Sequence, residues 1–92
     1  MNVDDLTNRR NKVYQEIKDY LDACIPPSQK TKFNEIAQNK CLEDYNELKE
    51  LKAYINSKEV DFQIFHQKLN RYKELSKKII RQVAVYLYGH PR

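Results

Sequence analysis

Glycine and proline are nearly absent from this chain of 92 residues, which holds one Gly (Gly89) and three Pro (Pro26, Pro27, Pro91). A β-rich fold of this size needs many tight turns, and tight turns need residues that tolerate positive φ. Their scarcity excludes that class and favours helices joined by few connections. Tryptophan is missing, and no apolar run approaches the roughly 18–20 residues that a membrane span requires. The N-terminal stretch, residues 1–10, is polar, with two Asp and two Arg, and does not read as a secretory signal. A cytoplasmic location and no membrane association are expected.

Cysteine is scarce too, with only Cys24 and Cys41. If a turn sits at Pro26–Pro27, the two lie at unequal distances from it. On antiparallel helices that offset separates them by roughly 15–18 Å along the axis, whereas a disulfide needs Cα atoms within about 7 Å. Two reduced, mostly buried thiols are expected. The only other soft ligands are His66 and His90, and no pair has the spacing of a metal site, so neither a metal nor a cofactor is expected.

What is present is 40% hydrophobic and 33% charged residues, too apolar for a disordered chain. The length is one domain's worth, residues 1–92, and a chain of this size buries only about 60–68% of its unfolded surface. One modest core fits, without a deep pocket. Negative charge is scarce in the C-terminal part. Residues 66–92 carry seven Lys/Arg against a single acid, Glu74, while residues 1–65 carry ten Lys/Arg against twelve Asp/Glu.

Periodicity divides the chain into three helical segments. Val3, Leu6, Arg10, Val13, Ile17, Tyr20 and Cys24 follow a 3-4-3-4 spacing, a heptad seam interrupted by Arg10. This predicts a helix over 3–24, capped by Asn2 and stopped before the proline pair. A second stripe runs from Phe33 to Ile55 and predicts a helix over 28–55 capped by Ser28, with weak propensity at Gln38-Asn39-Lys40 that permits a kink. A third stripe, Phe62, Phe65, Leu69, Tyr72, Leu75, Ile79, Val83 and Tyr86, predicts a helix over 58–88 capped by Ser57 and ended by Gly89. The run Val83–Tyr88 is apolar nearly all round and on its own also reads as a strand, but its continuity with the helical pattern favours helix. Short connections force neighbouring helices antiparallel. The expected fold is all-α, an elongated up-down-up three-helix bundle, with Ile17, Leu48 and Ile79 mid-seam in the core.

No catalytic constellation stands out. Both cysteines fall on apolar seams, and there is neither a Gly-rich phosphate loop nor a nucleophile elbow. The small all-helical chorismate mutases have about this length and need an arginine on the first helix, for which Arg10 would serve. They need a second some four to five turns later, and that position falls at Pro26–Pro27, so the match fails. The chain reads as a non-enzyme. Arg10 itself either reaches water near the bundle end or sets helix register.

The basic third segment is the strongest functional signal. Lys73, Lys77 and Arg81 are spaced i, i+4, i+8 on one face, and Lys68, Arg71 and Lys78 line an adjoining one. Such a helix lies along phosphates, meets an acidic protein surface, or is a solvated face neutralised by Glu43, Asp44, Glu47 and Glu50. Tyr86, Leu87 and Tyr88 cannot all point inward, and a tyrosine-rich end suits docking. The expected function is a protein-interaction module, an adaptor, inhibitor or small subunit of a larger assembly. It would bind an acidic or mixed protein surface through Lys73, Lys77, Arg81, Arg71, Lys78, Tyr86, Leu87 and Tyr88. The alternative is a small nucleic-acid-binding protein using the same basic face. A third reading is a chain stable only as a homodimer.

Overall fold

A computed structural model describes residues 3–57 and 61–89. The described residues form four α-helices and no strand: α1 (Val3–Cys24), α2 (Lys30–Lys40), α3 (Leu42–Ile55) and α4 (Phe62–Tyr88), with a 3-10 turn at Pro27–Gln29. The molecule measures 43 × 23 × 18 Å, and its radius of gyration is 14.0 Å, against about 12 Å for a compact domain of this length.

The proline pair acts as expected. Pro26 takes an extended backbone (φ −60°, ψ 149°). Ile25 just before it is wholly buried and donates its N–H to the Leu21 carbonyl (2.7 Å). Ser28 does not cap the next helix. It lies inside the 3-10 turn, which Pro27 begins because its missing N–H costs nothing there, and α2 starts at Lys30 without a side-chain cap.

The single helix expected over 28–55 is two helices. The break is at Cys41 (φ −124°, ψ 38°), directly after the weak Gln38-Asn39-Lys40 stretch. Cys41 still donates to Ala37 (3.1 Å) and accepts from Tyr45 (2.7 Å), so the chain bends without losing the thread of the ladder. Glu43 and Asp44 occupy the first turn of α3, where their charge suits the positive helix end that the break creates.

α4 is the spine, packing against α1, α2 and α3. Asp61 caps it, its Oδ1 accepting from Gln63 N (2.9 Å) and Ile64 N (3.2 Å), which replaces the expected cap at Ser57. The expected start at Lys58 and cap at Asn2 lie outside the described residues. Gly89 closes the helix with φ 77°, a left-handed conformation that other residues adopt only with strain. The Val83–Tyr88 run is helical.

Cross-helix partners define the directions. Tyr14 meets Tyr72, Glu16 meets Lys73 and Tyr20 meets Lys77, so α1 and α4 run the same way. Glu47 meets Arg71, Asp44 meets Lys78 and Cys41 meets Gln82, so α3 runs against α4. The buried core is Leu6, Cys24 and Ile25, Ala37 and Cys41, Leu51 and Ile55, and the α4 residues from Phe65 to Ala84 on its inner face. Two residues of the expected α4 stripe are exposed instead, Phe62 at 44% and Tyr86 at 58%. A strict seven-residue repeat drifts about 20° per heptad on a straight helix. Over seven turns the true inner face moves onto Ser76, Ile80 and Ala84, all buried. Ile79 is core, but Ile17 and Leu48 are only half-buried.

Candidate docking surface

Lys68 lies over the Tyr54 ring (5.1 Å from its centre), and the five α4 cations expected on the binding face sit in three settings. Arg71 forms a forked ion pair with Glu47 of α3, Nε to Oε2 at 2.7 Å and Nη2 to Oε1 at 3.1 Å. Lys78 pairs with Asp44 of α3 (3.1 Å). On the other flank, Lys73 reaches Glu16 of α1 (3.7 Å) and Lys77 lies over the Tyr20 ring (5.6 Å from its centre). Arg81 is exposed and has no ion pair among the described residues. The stripe is therefore not an open row of positive charge. Its two edges are stitched to α3 and α1, and among the described residues Arg81 alone of the five has no such partner.

The pairs perturb their members as geometry requires. The hydrogen bond from Arg71 holds the Glu47 carboxyl below the usual carboxylate range, and the same bond pushes the Arg71 guanidinium further up. The groups are solvent-exposed, so the pairs contribute little to stability. Their effect is on surface potential: Glu47, Asp44 and Glu16 interleave carboxylates with the cations.

The C-terminal tyrosine cluster divides. Leu87 and Tyr88 are half-buried and pack against the core, so they do not form an exposed docking end. Tyr86 is 58% exposed and the adjacent Val85 42%. Both line a recess with Lys40, Cys41 and Gln82, where the last turns of α4 pass the α2–α3 break. The recess continues toward Leu42, Asp44 and Lys78, and Leu42 is 55% exposed. Three large apolar side chains on helix backbones thus ring one depression. Helical spacing sets Arg81 one turn before Val85, and Lys40 and Lys78 edge the depression.

At its floor the Cys41 thiol donates to Gln82 Oε1 (3.3 Å). Burial, reinforced by the nearby Asp44 carboxylate, pushes this thiol's pKa up, so at neutral pH it is a protonated group that fills space and is a poor nucleophile. Neither cysteine is in a disulfide, and both are buried. Among the described residues no group of three or more His, Cys, Asp or Glu could hold a metal ion. His66 stands edge-on to the Phe65 ring (5.8 Å between centres), and His90 lies outside the described residues. No helix among the described residues is long and apolar enough to cross a membrane.

Leu42 and Val85 are the members that sequence reading missed. A single continuous helix over 28–55 would carry Leu42 on its inner stripe, and the bend at Cys41 turns it out. Neither a protein-family model nor a curated protein nor a solved structure matches the chain.

Proposed function

We propose that this chain is a non-enzymatic protein-interaction module, an adaptor, inhibitor or small subunit, that docks an acidic or mixed-charge protein surface at the recess beside the α2–α3 break. In this reading α2 and α3 together form the descending limb of an up-down-up bundle, and the bend between them makes the recess. The observation that carries the proposal is the grouping of Leu42, Val85 and Tyr86, exposed at 55%, 42% and 58%, on rigid helices with cations at the edge. Exposed aromatic and aliphatic side chains ringed by charge are the composition of an interface centre and its rim. Lys78 and Arg81 supply charge complementarity to acidic groups. Interleaved carboxylates favour a protein over a polyphosphate on the rest of α4, because Glu47 and Asp44 would repel a phosphate backbone that Arg71 and Lys78 attract. Two buried cysteines outside any disulfide fit a reducing, cytoplasmic setting.

The test compares binding by the parent with two variants, Val85→Ser/Tyr86→Ser and Lys78→Glu/Arg81→Glu, for proteins retained from cell extract with and without nuclease. The proposal expects a nuclease-resistant partner whose affinity falls at least about tenfold with the apolar variant and less, in a salt-dependent way, with the charge variant. Retention that nuclease abolishes would assign the face to nucleic acid. Self-association alone, lost in the apolar variant, would assign it to a homodimer.

A further inference from the structure

The core is unfinished on one side. α1 and α3 both lean on α4 but diverge from each other, leaving a cleft of about 120 Å³ between them. Its walls are Ile17 and Leu21 of α1, Phe33 of α2, and Tyr45 and Leu48 of α3, all half-buried. Its floor is Tyr72, Ile79 and Ile80 of α4. Five large apolar side chains facing one trough and half-exposed together are the face that a further helix covers in a four-helix arrangement. The trough is closed at one end, where Asn56 Nδ2 donates to the Tyr14 hydroxyl across it (3.0 Å).

The lips of the trough carry an excess of positive charge. On α1, Glu16 points to α4 and holds Lys73. Ile17 faces the trough, so Lys18, a further 100° round the helix, stands on the outer lip. On α3 the same logic applies. Glu47 points to Arg71 of α4, Leu48 faces the trough, and Lys49 stands on the lip with its Nζ 5.2 Å from the centre of the Tyr45 ring that lines the wall. Lys52, one turn after Leu48, continues that lip. All three lysines are exposed. One acid shares the α1 lip: Asp22, one turn after Lys18, bonds Lys30 (2.8 Å) and also feels the Lys18 charge, so the cations remain in excess.

We propose that this cleft receives one amphipathic helix of another protein, its apolar stripe seated on Ile17, Phe33 and Leu48 and carboxylates along both edges of the stripe meeting Lys18, Lys49 and Lys52. This is helix-in-groove recognition, in which apolar anchors give affinity and edge charges give choice of partner. A second copy of this chain is a poor occupant. Two clefts face to face would set lysine lips against lysine lips on chains of net charge +4. The site goes beyond the docking recess above and does not depend on it, since Arg71 and Lys78 lie on the opposite flank of α3.

The test uses two synthetic helical peptides of about 20 residues with the same leucine stripe, one flanked by glutamates and one by lysines, titrated by fluorescence anisotropy. The full chain should bind the glutamate peptide at least about tenfold tighter than the lysine peptide at low salt, with the difference shrinking in high salt. The triple variant Lys18→Glu/Lys49→Glu/Lys52→Glu should reverse that preference. Its substitutions are on exposed positions, and unchanged helical circular dichroism verifies that it folds. Val85→Ser/Tyr86→Ser should bind the glutamate peptide as the parent does, which separates this site from the recess. Equal affinity for the two peptides, or a preference that the triple variant leaves in place, overturns the proposal. So does a dimer of the parent chain, seen by sedimentation, that Leu48→Glu dissolves.

Discussion

Arg10 of α1 donates from Nη1 to the carbonyl oxygen of Ile55, the last residue of α3, across 3.2 Å. The last carbonyls of a helix have no partner within it and carry the negative end of its dipole. A guanidinium placed there answers both needs, and it ties α1 to α3 at the closed end of the cleft. This explains a charged residue on an otherwise apolar seam: it joins two helices that otherwise meet little. Replacing Arg10 with Ala should cost about 1.5–3 kcal/mol in urea denaturation, the range for hydrogen bonds to charged groups. A loss below about 0.3 kcal/mol would show that the bond is not made in solution.

The helix faces set the core predictions. Ile79 is 2% exposed, and Ile79→Ala should destabilise by roughly 2–5 kcal/mol. Ile17 and Leu48 line the open cleft and are half-buried, so their Ala variants should lose only about 1–2 kcal/mol, in proportion to the apolar area each removes from water. Equal losses at all three would mean that the cleft is closed in solution.

Much of the fold was legible in the periodicity. The 3-4 spacing of α1, the stop at Pro26–Pro27 and the Gly89 cap follow from local backbone chemistry, and local chemistry is written in adjacent residues. The break at Cys41 was only hinted at by Gln38-Asn39-Lys40, because its position depends on where Cys41 and Gln82 meet, a tertiary fact. The exposure of Tyr86 and the burial of Leu87 were hidden by helical drift, which accumulates over the length of α4. Of the candidate site, the cations were found, but their partners were not. Which acid meets Arg71 depends on the register of α3 against α4, and no spacing within α4 encodes it.

Charge on this register gives a pH prediction. Glu47 has its carboxyl pKa lowered by Arg71, so the stability of the pair is present above the unfolded glutamate pKa and is lost as pH falls through the lower folded value. Arg71→Gln should therefore flatten the acid-side decline in melting temperature while changing neutral stability little, because the pair is solvent-exposed. A parallel shift of the whole profile, with its acid slope intact, would contradict the pairing.

The thiols should be shielded and separate. Mass spectrometry of the native protein should find two unlinked cysteines that react slowly with iodoacetamide near pH 8 and fast in denaturant, because both are buried and Cys41 has a raised pKa. Rapid native alkylation at Cys41 would mean that the α2–α3 break opens readily.

If protein partners seat on the recess formed by Leu42, Val85 and Tyr86, binding must cover those side chains. Hydroxyl-radical footprinting of the chain, free and bound to a partner retained without nucleic acid, tests it most directly, because leucine and tyrosine side chains report solvent contact one by one. Leu42 and Tyr86 should be strongly protected on binding, with Phe62 and Ile64 at the far end of α4 still reactive. Unchanged oxidation of Leu42 and Tyr86 in a saturated complex would contradict it.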